Sequence, residues 1–231
     1  MNKRILTALS ACLVLFSACT STPEFQSGPE AEVTHDGLTR LDKTVMDAVW
    51  ARTDIDISEY NKVMLEGIGV EYRPATGPYS GRAGTTTIRR TSQTEFQLDD
   101  ETKALVEEEI GGAFVDEMSQ SERFEIVDQA GPDVLKLRVG LLDVVSMVPP
   151  DSVGRVSVYL DRVGEATLVM ELRDSTSNAI LARAVDRRAA ERTAGNMMES
   201  NRVTNRAEVR RLGRQWASII RRGLERLMTA E

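Results

Sequence analysis

The sequence predicts an α+β (α/β-like) domain built on a mixed, mainly antiparallel sheet of about five strands with two principal helices packed on it. Three observations predict it. An apolar helical pattern lies between two strand-like runs; the centre of the chain alternates with period two and is broken by turn residues; and the last residues return to helical spacing.

The first strand is read at Lys62–Val70, led in by Ile55–Tyr60, and its run of apolar residues predicts a largely buried strand. The Gly- and Thr-rich stretch from Gly77 to Thr91 is expected to be a loop. Asp99 or Asp100 then suits the N-cap of a helix in which Val106, Ile110, Phe114 and Met118 recur every four residues beside Ala113. Glu107, Glu108 and Glu109 are expected mainly on its exposed side. Phe124–Val127 reads as a second strand, and Gly131-Pro132-Asp133 as a turn. Leu135, Leu137, Val139 and Leu141 alternate with Lys136, Arg138 and Gly140, which predicts a strand covered on one face and ended by Pro149-Pro150. No element is assigned to Asp151–Gly164. Leu168, Met170 and Leu172 begin a β-hairpin whose turn is Asp174–Asn178 and whose second strand starts at Ile180. The closing helix carries Val209, Leu212, Trp216, Ile219, Ile220 and Leu227 on its apolar side, flanked by arginines. No internal repeat is present, which argues against solenoids and propellers.

The N-terminus carries a different signal. Met1-Asn2-Lys3-Arg4 is basic, and the fourteen residues Ile5–Ala18 are uncharged, a length that fits the apolar region of an export signal and falls short of the ~20 residues of a membrane span. Leu15-Phe16-Ser17-Ala18-Cys19 resembles the lipobox of bacterial lipoproteins, with small residues before a cysteine that accepts diacylglycerol; Phe16 departs from the usual aliphatic residue. Leu9-Ser10-Ala11-Cys12 is a closer local match, but it leaves too short an apolar region between Arg4 and Cys12. The expected boundaries are therefore a signal peptide over 1–18, a lipidated Cys19 with a flexible tether over 19–36, and one periplasmic α+β domain over 37–231. The alternative is an ordinary secretory signal cut after Ala18 that leaves Cys19 as a free thiol, a liability in an oxidising compartment. Since Cys12 and Cys19 are the two cysteines of the chain, the expected mature domain has no disulfide and no cysteine-based metal site. As known for such lipoproteins, aspartate after the cysteine favours inner-membrane retention. This chain has Thr20 there, which points to the outer membrane, periplasmic side.

Loss of Lys3 and Arg4 takes the formal charge from −7 to −9, so the mature protein is acidic and poorly suited to nucleic acid. The charge is uneven: residues 183–231 hold twelve arginines against six acidic residues. Arg206, Arg210, Arg214, Arg221 and Arg222 are expected to solvate the last helix and pair with the acidic body, and Trp216 to belong to the core.

No catalytic constellation is recognisable. The sole histidine, His35, falls in the expected tether, and no Gly-x-Ser-x-Gly elbow occurs. The glycines from Gly77 to Gly84 lack the Gly-Lys-Ser/Thr ending of a phosphate-binding loop. The carboxylate groups Asp54/Asp56, Asp99–Glu101 and Glu107–Glu109 each have a plain reading as strand-edge, helix-start or solvated helix-face charge. No cofactor, metal or catalytic residue is assigned; Cys19 is the one assigned site.

Asp36-Gly37-Leu38, Asp54–Val63, Gly131–Leu135, Glu171–Ser175 and Trp216-Ala217, in this order and spacing, resemble the family of bacterial lipoproteins known only as domain of unknown function DUF3313. The resemblance covers nearly all of the expected mature domain and implies location rather than an activity. The leading expectation is thus a non-enzymatic, lipid-tethered module that binds or supports an envelope protein partner. A small-molecule carrier or sensor, with a pocket between sheet and helix, is the alternative.

Overall fold

A computed structural model describes residues 22–74, 95–149, 159–191 and 198–229. Its elements are β1 (Glu24–Phe25), β2 (Thr39–Asp42), β3 (Ala48–Ala51), β4 (Lys62–Tyr72), α1 (Asp100–Met118), β5 (Glu125–Val127), β6 (Val134–Ser146), β7 (Tyr159–Leu160), β8 (Arg162–Asp174), β9 (Ile180–Glu191), β10 (Met198–Glu199) and α2 (Arg202–Leu227). Eight strands form one sheet in the order β1-β2-β3-β9-β8-β6-β4-β5, and β7 and β10 form a separate two-stranded ribbon. Pairing is antiparallel from β1 across to β6; only β4 runs parallel to its neighbours β5 and β6.

The mixed, mainly antiparallel α+β architecture is the expected one, with eight strands in the main sheet rather than about five. The additional strands come from the N-terminal side, where β1, β2 and β3 are two to four residues long. Such short strands show too few alternations to register as period two. Residues 22–36, expected as flexible tether, pair instead with the sheet edge. Gln26 N–H donates to the Arg40 carbonyl at 2.9 Å and Thr34 N–H to that of Leu38 at 2.8 Å, so the open edge of β2 supplies partners that composition does not reveal. Of β4, expected largely buried, only Val63 is fully so. Its outer side is covered by β5 just at Lys62–Met64, leaving its remainder as an edge among the described residues.

The helices lie together on one face of the sheet. Leu137, Val139 and Leu141 of β6 align with Leu172, Met170 and Leu168 of β8, and these with Ala182, Ala184 and Asp186 of β9, while Leu135 continues the apolar row of β6. Ile110, Phe114 and Met118 of α1 and Leu212, Trp216, Ile220 and Leu224 of α2 close over this row to make the core. Val106 of the expected α1 stripe is only half-buried, and Leu227, expected on the apolar side of α2, is exposed. The helices approach closely because Gly213 faces Ala113: a Cβ on Gly213 would stand 3.0 Å from that of Ala113.

Capping follows the sequence. The Asp99 carboxylate accepts the Thr102 N–H at 2.8 Å, and Asn201 with Thr204 forms a capping box at the start of α2. The expected hairpin is β8–β9; Asp174 accepts the Ser177 N–H at 2.6 Å, and Asn178 takes φ 59°. The end of the unassigned stretch 151–164 belongs to β7 and the start of β8.

Candidate functional site

Period two puts the polar half of each central strand on the face away from the helices. Glu66, Arg138, Glu171 and Arg183 form one cross-strand row, since Glu66 pairs Arg138, Arg138 pairs Glu171, and Glu171 pairs Arg183. Their side chains interact: Arg183 reaches Glu171 at 3.1 Å, Arg173 reaches Glu171 at 2.8 Å, and Arg138 comes to 3.7 Å from Glu66. Toward the sheet edge, Arg183 also holds Asp36 at 2.9 Å. Glu32 accepts from Trp50 Nε1 and Arg40, each at 3.0 Å, and the Arg40 guanidinium lies 5.3 Å from the Trp50 ring centroid.

A second group sits where β6 bulges between Leu142 and Val145 and Asp143 adopts φ 58°. Asp143 bridges Arg73 and Arg187, the latter at 2.6 Å; Arg73 also holds Glu95 at 2.6 Å and Arg187 holds Glu165 at 2.5 Å. Hydrogen bonds from Arg73 and then Arg187 keep the Asp143 carboxyl well below the usual carboxylate range. Burial pushes Glu171 upward, but Arg173 and Arg183 outweigh it and its pKa is lowered. The outcome is a sheet face ordered by charge pairs, with Arg138 at the open centre keeping 61 % of its side chain exposed.

Two cavities lie near one end of the sheet. One, of about 290 Å³, is held between the end of β9 and α2 by Arg188, Glu191, Glu208, Arg211, Leu212 and Gln215, with Glu208 paired to Arg211. The other, of about 190 Å³, is bounded by Tyr72, Arg73, Phe96, Lys103, Val144 and Ser146.

Cys19 and the Gly77–Gly84 loop lie outside the described residues. His35 is exposed in a turn. The carboxylate groups do not converge. Asp54 pairs with Arg52 at 3.3 Å, Asp56 accepts the Ser58 N–H at 2.9 Å, and Asp99 caps α1. Among the described residues no group of three or more His, Cys, Asp and Glu is placed to hold a metal ion. Glu109, expected on the exposed side of α1, is buried between the helices, where Arg206 donates from Nε at 2.9 Å and Arg210 from Nη1 at 3.2 Å. Position alone did not reveal this, because Glu109 borders the apolar stripe at Ile110. The Arg206 hydrogen bond lowers the Glu109 pKa against the opposing effect of burial. Arg210 also holds Asp116 at 2.6 Å, and Arg221 holds Glu117 at 3.0 Å. Arg206, Arg210 and Arg221 therefore pair with the acidic helix α1, as expected of them.

Trp216 is fully buried, as expected, and its Nε1–H donates at 2.8 Å to Asp186, which is 2 % exposed. Arg188 and the Asp47 N–H, the latter at 3.2 Å, complete the partners of Asp186. Sequence reasoning missed this group. The available sign was an aspartate in phase with Ala182 and Ala184 on the buried side of β9.

The family model described as "Protein of unknown function (DUF3313)" matches residues 32–220. The chain belongs to that family. No curated protein matches it. Among solved structures it is similar to a PelC dodecamer from Paraburkholderia phytofirmans in two crystal forms, at TM-score 0.33 in each. Identity is 10 % and 11 %, over 75 % and 74 % of this chain and 95 % and 96 % of those. A homolog of neuraminyllactose-binding hemagglutinin from Helicobacter pylori gives TM-score 0.32 and 7 % identity, over 76 % of this chain and 86 % of that one. The family carries no described activity. No helix among the described residues is long and apolar enough to cross a membrane.

Proposed function

We propose that this DUF3313 member is a lipoprotein acylated on Cys19, held at the periplasmic side of the outer membrane, whose domain is a non-enzymatic module that binds an envelope protein. The observation that carries the binding role is the charge-ordered sheet face. Its arginines and carboxylates are fixed by mutual pairs, so an incoming polar surface meets side chains whose ordering cost is already met. The Cys19 anchor is supported by the lipobox-like segment and the uncharged run before it.

Photo-crosslinking in intact cells tests the reading. A crosslinker at Arg138 or Leu142 on the sheet face is expected to capture one and the same envelope protein, while a crosslinker at Glu108 on α1 captures none. No product from the sheet face, together with turnover of an envelope substrate by the pure protein, refutes it.

The second reading, a small-molecule carrier or sensor, is favoured by the cavity of about 290 Å³ between β9 and α2. Its charged wall suits a small polar ligand rather than an apolar one, and its size lies at the bottom of the ~300–1,000 Å³ range of ligand pockets. A native-mass measurement of protein purified from the envelope distinguishes the readings, since a carrier retains a bound small molecule.

A further inference from the structure

We infer that the corner of the sheet formed by β1 and the β2–β3 turn is a lipid-contacting surface, with Val45 and Phe25 meeting the membrane that holds Cys19; this rests on the anchor reading above. The register supplies the direction. Glu24 pairs Asp42 and Phe25 pairs Leu41 antiparallel, so the chain preceding Glu24 runs toward the turn that follows Asp42. Glu24 is also tied to Lys43 of that turn at 2.8 Å. The turn itself is held to β9, since Arg187 N–H donates to the Asp47 carboxylate at 2.8 Å.

Chain length supplies the constraint. Five residue steps separate Cys19 from Glu24, and a fully extended chain spans at most about 3.4 Å per residue, so Glu24 lies within roughly 17 Å of the acylated residue. The eight-stranded sheet is about 34 Å across at ~4.8 Å per strand spacing, twice that reach. The β1 edge therefore sits against the bilayer and the β5 edge stands away from it. Exposed apolar side chains occur at this attachment region: Phe25 is 39 % exposed on β1 and Val45 is 67 % exposed in the turn. A bilayer surface is the occupant that the attached lipid itself brings to this corner, and burial of apolar side chains at the head-group boundary adds to the hold of the acyl chains.

The test uses the full-length protein, processed in cells and reconstituted into phosphatidylethanolamine/phosphatidylglycerol vesicles carrying head-group nitroxide lipid. Because acylated Cys19 has no free thiol and Cys12 is removed with the signal, V45C and E125C each offer one site for a fluorophore. Intact mass is read first. With a reach of roughly 17 Å, emission from position 45 is expected to fall about two-fold or more in nitroxide vesicles, and emission from position 125 to stay unchanged. Equal quenching at the two positions, or none at position 45, in a chain whose mass shows acylation overturns the orientation alone. A mass without acyl groups overturns the anchor and the orientation with it.

Discussion

Replacing Asp186 with Ala removes a carboxylate buried between the sheet and α2, and the structure allows its cost to be worked out. Asp186 accepts from Trp216 Nε1 at 2.8 Å, from Asp47 N–H at 3.2 Å and from Arg188, and its side chain is 2 % exposed. Without it, the fully buried indole N–H has no acceptor, at about 1–3 kcal/mol. Arg188 keeps partial access to water, so its lost partner costs less than the ~3–5 kcal/mol of a fully buried pair broken on one side. A total of about 3 kcal/mol follows. With an m value of roughly 2–3 kcal/mol/M in urea, the midpoint should fall by about 1 M or slightly more. Trp216→Phe removes the Nε1–H donor together with the pyrrole half of a fully buried indole, so its loss combines the missing hydrogen bond with a cavity, at about 2–4 kcal/mol. The two changes share a hydrogen bond, and the double variant should lose less than the sum of the single losses. Urea unfolding followed by circular dichroism on the four proteins gives the cycle. A D186A loss under ~1 kcal/mol, or strict additivity, refutes the view that Asp186 organises the contact between β9 and α2.

Three further perturbations follow from other parts of the fold. Glu109 has a folded pKa below its unfolded value, so its contribution is present above about pH 4.3 and is lost as pH falls through the folded pKa. Glu109→Gln should cost about 1–2 kcal/mol at neutral pH and flatten the loss of stability below pH 4, as measured by thermal melts across that range. Gly164→Ala places a Cβ 2.4 Å from the Val145 carbonyl oxygen, a backbone atom that cannot swing aside; a loss of about 1–3 kcal/mol is expected, and an unchanged midpoint would count against the close pairing of β6 and β8 at the bulge. Asn201→Ala removes the acceptor for Thr204 N–H at 3.0 Å and should cost about 1 kcal/mol, visible as faster hydrogen exchange in the first turn of α2.

The central strands and the two helices were legible because each is long enough to show its period. The four residues Leu135, Leu137, Val139 and Leu141 fix both the strand and its buried side, and Ile110, Phe114 and Met118 do the same for α1. β2 and β3 were not legible, since Ala48–Ala51 takes its place from pairing with β9 and Thr39–Asp42 from pairing with β3, rather than from patterns of their own. The 22–36 segment misled for a related reason. Its Ser, Thr, Pro and Glu content describes a chain with little to bury, but Glu32 and Asp36 meet Arg40 and Arg183, whose positions on the far face only the strand register reveals.

The same register accounts for the uneven charge. An excess of arginine at the C-terminal end reads, in one dimension, as a basic patch seeking an external anion. In the fold those arginines face two acidic surfaces that lie far away in sequence. Arg206, Arg210 and Arg221 meet Glu109, Asp116 and Glu117 across the helix pair, while Arg183 and Arg187 meet Glu171, Glu165 and Asp143 across the sheet. The first set lies in a helix contact narrowed by Gly213 and locks α2 to α1. The second lies on the face opposite the helices, where pairing leaves each side chain with one ordered geometry and part of its surface still in water. Charges ordered in this way favour recognition of a partner with a matching polar pattern over general attraction to an anion, because a polyanion must first compete with carboxylates already in place.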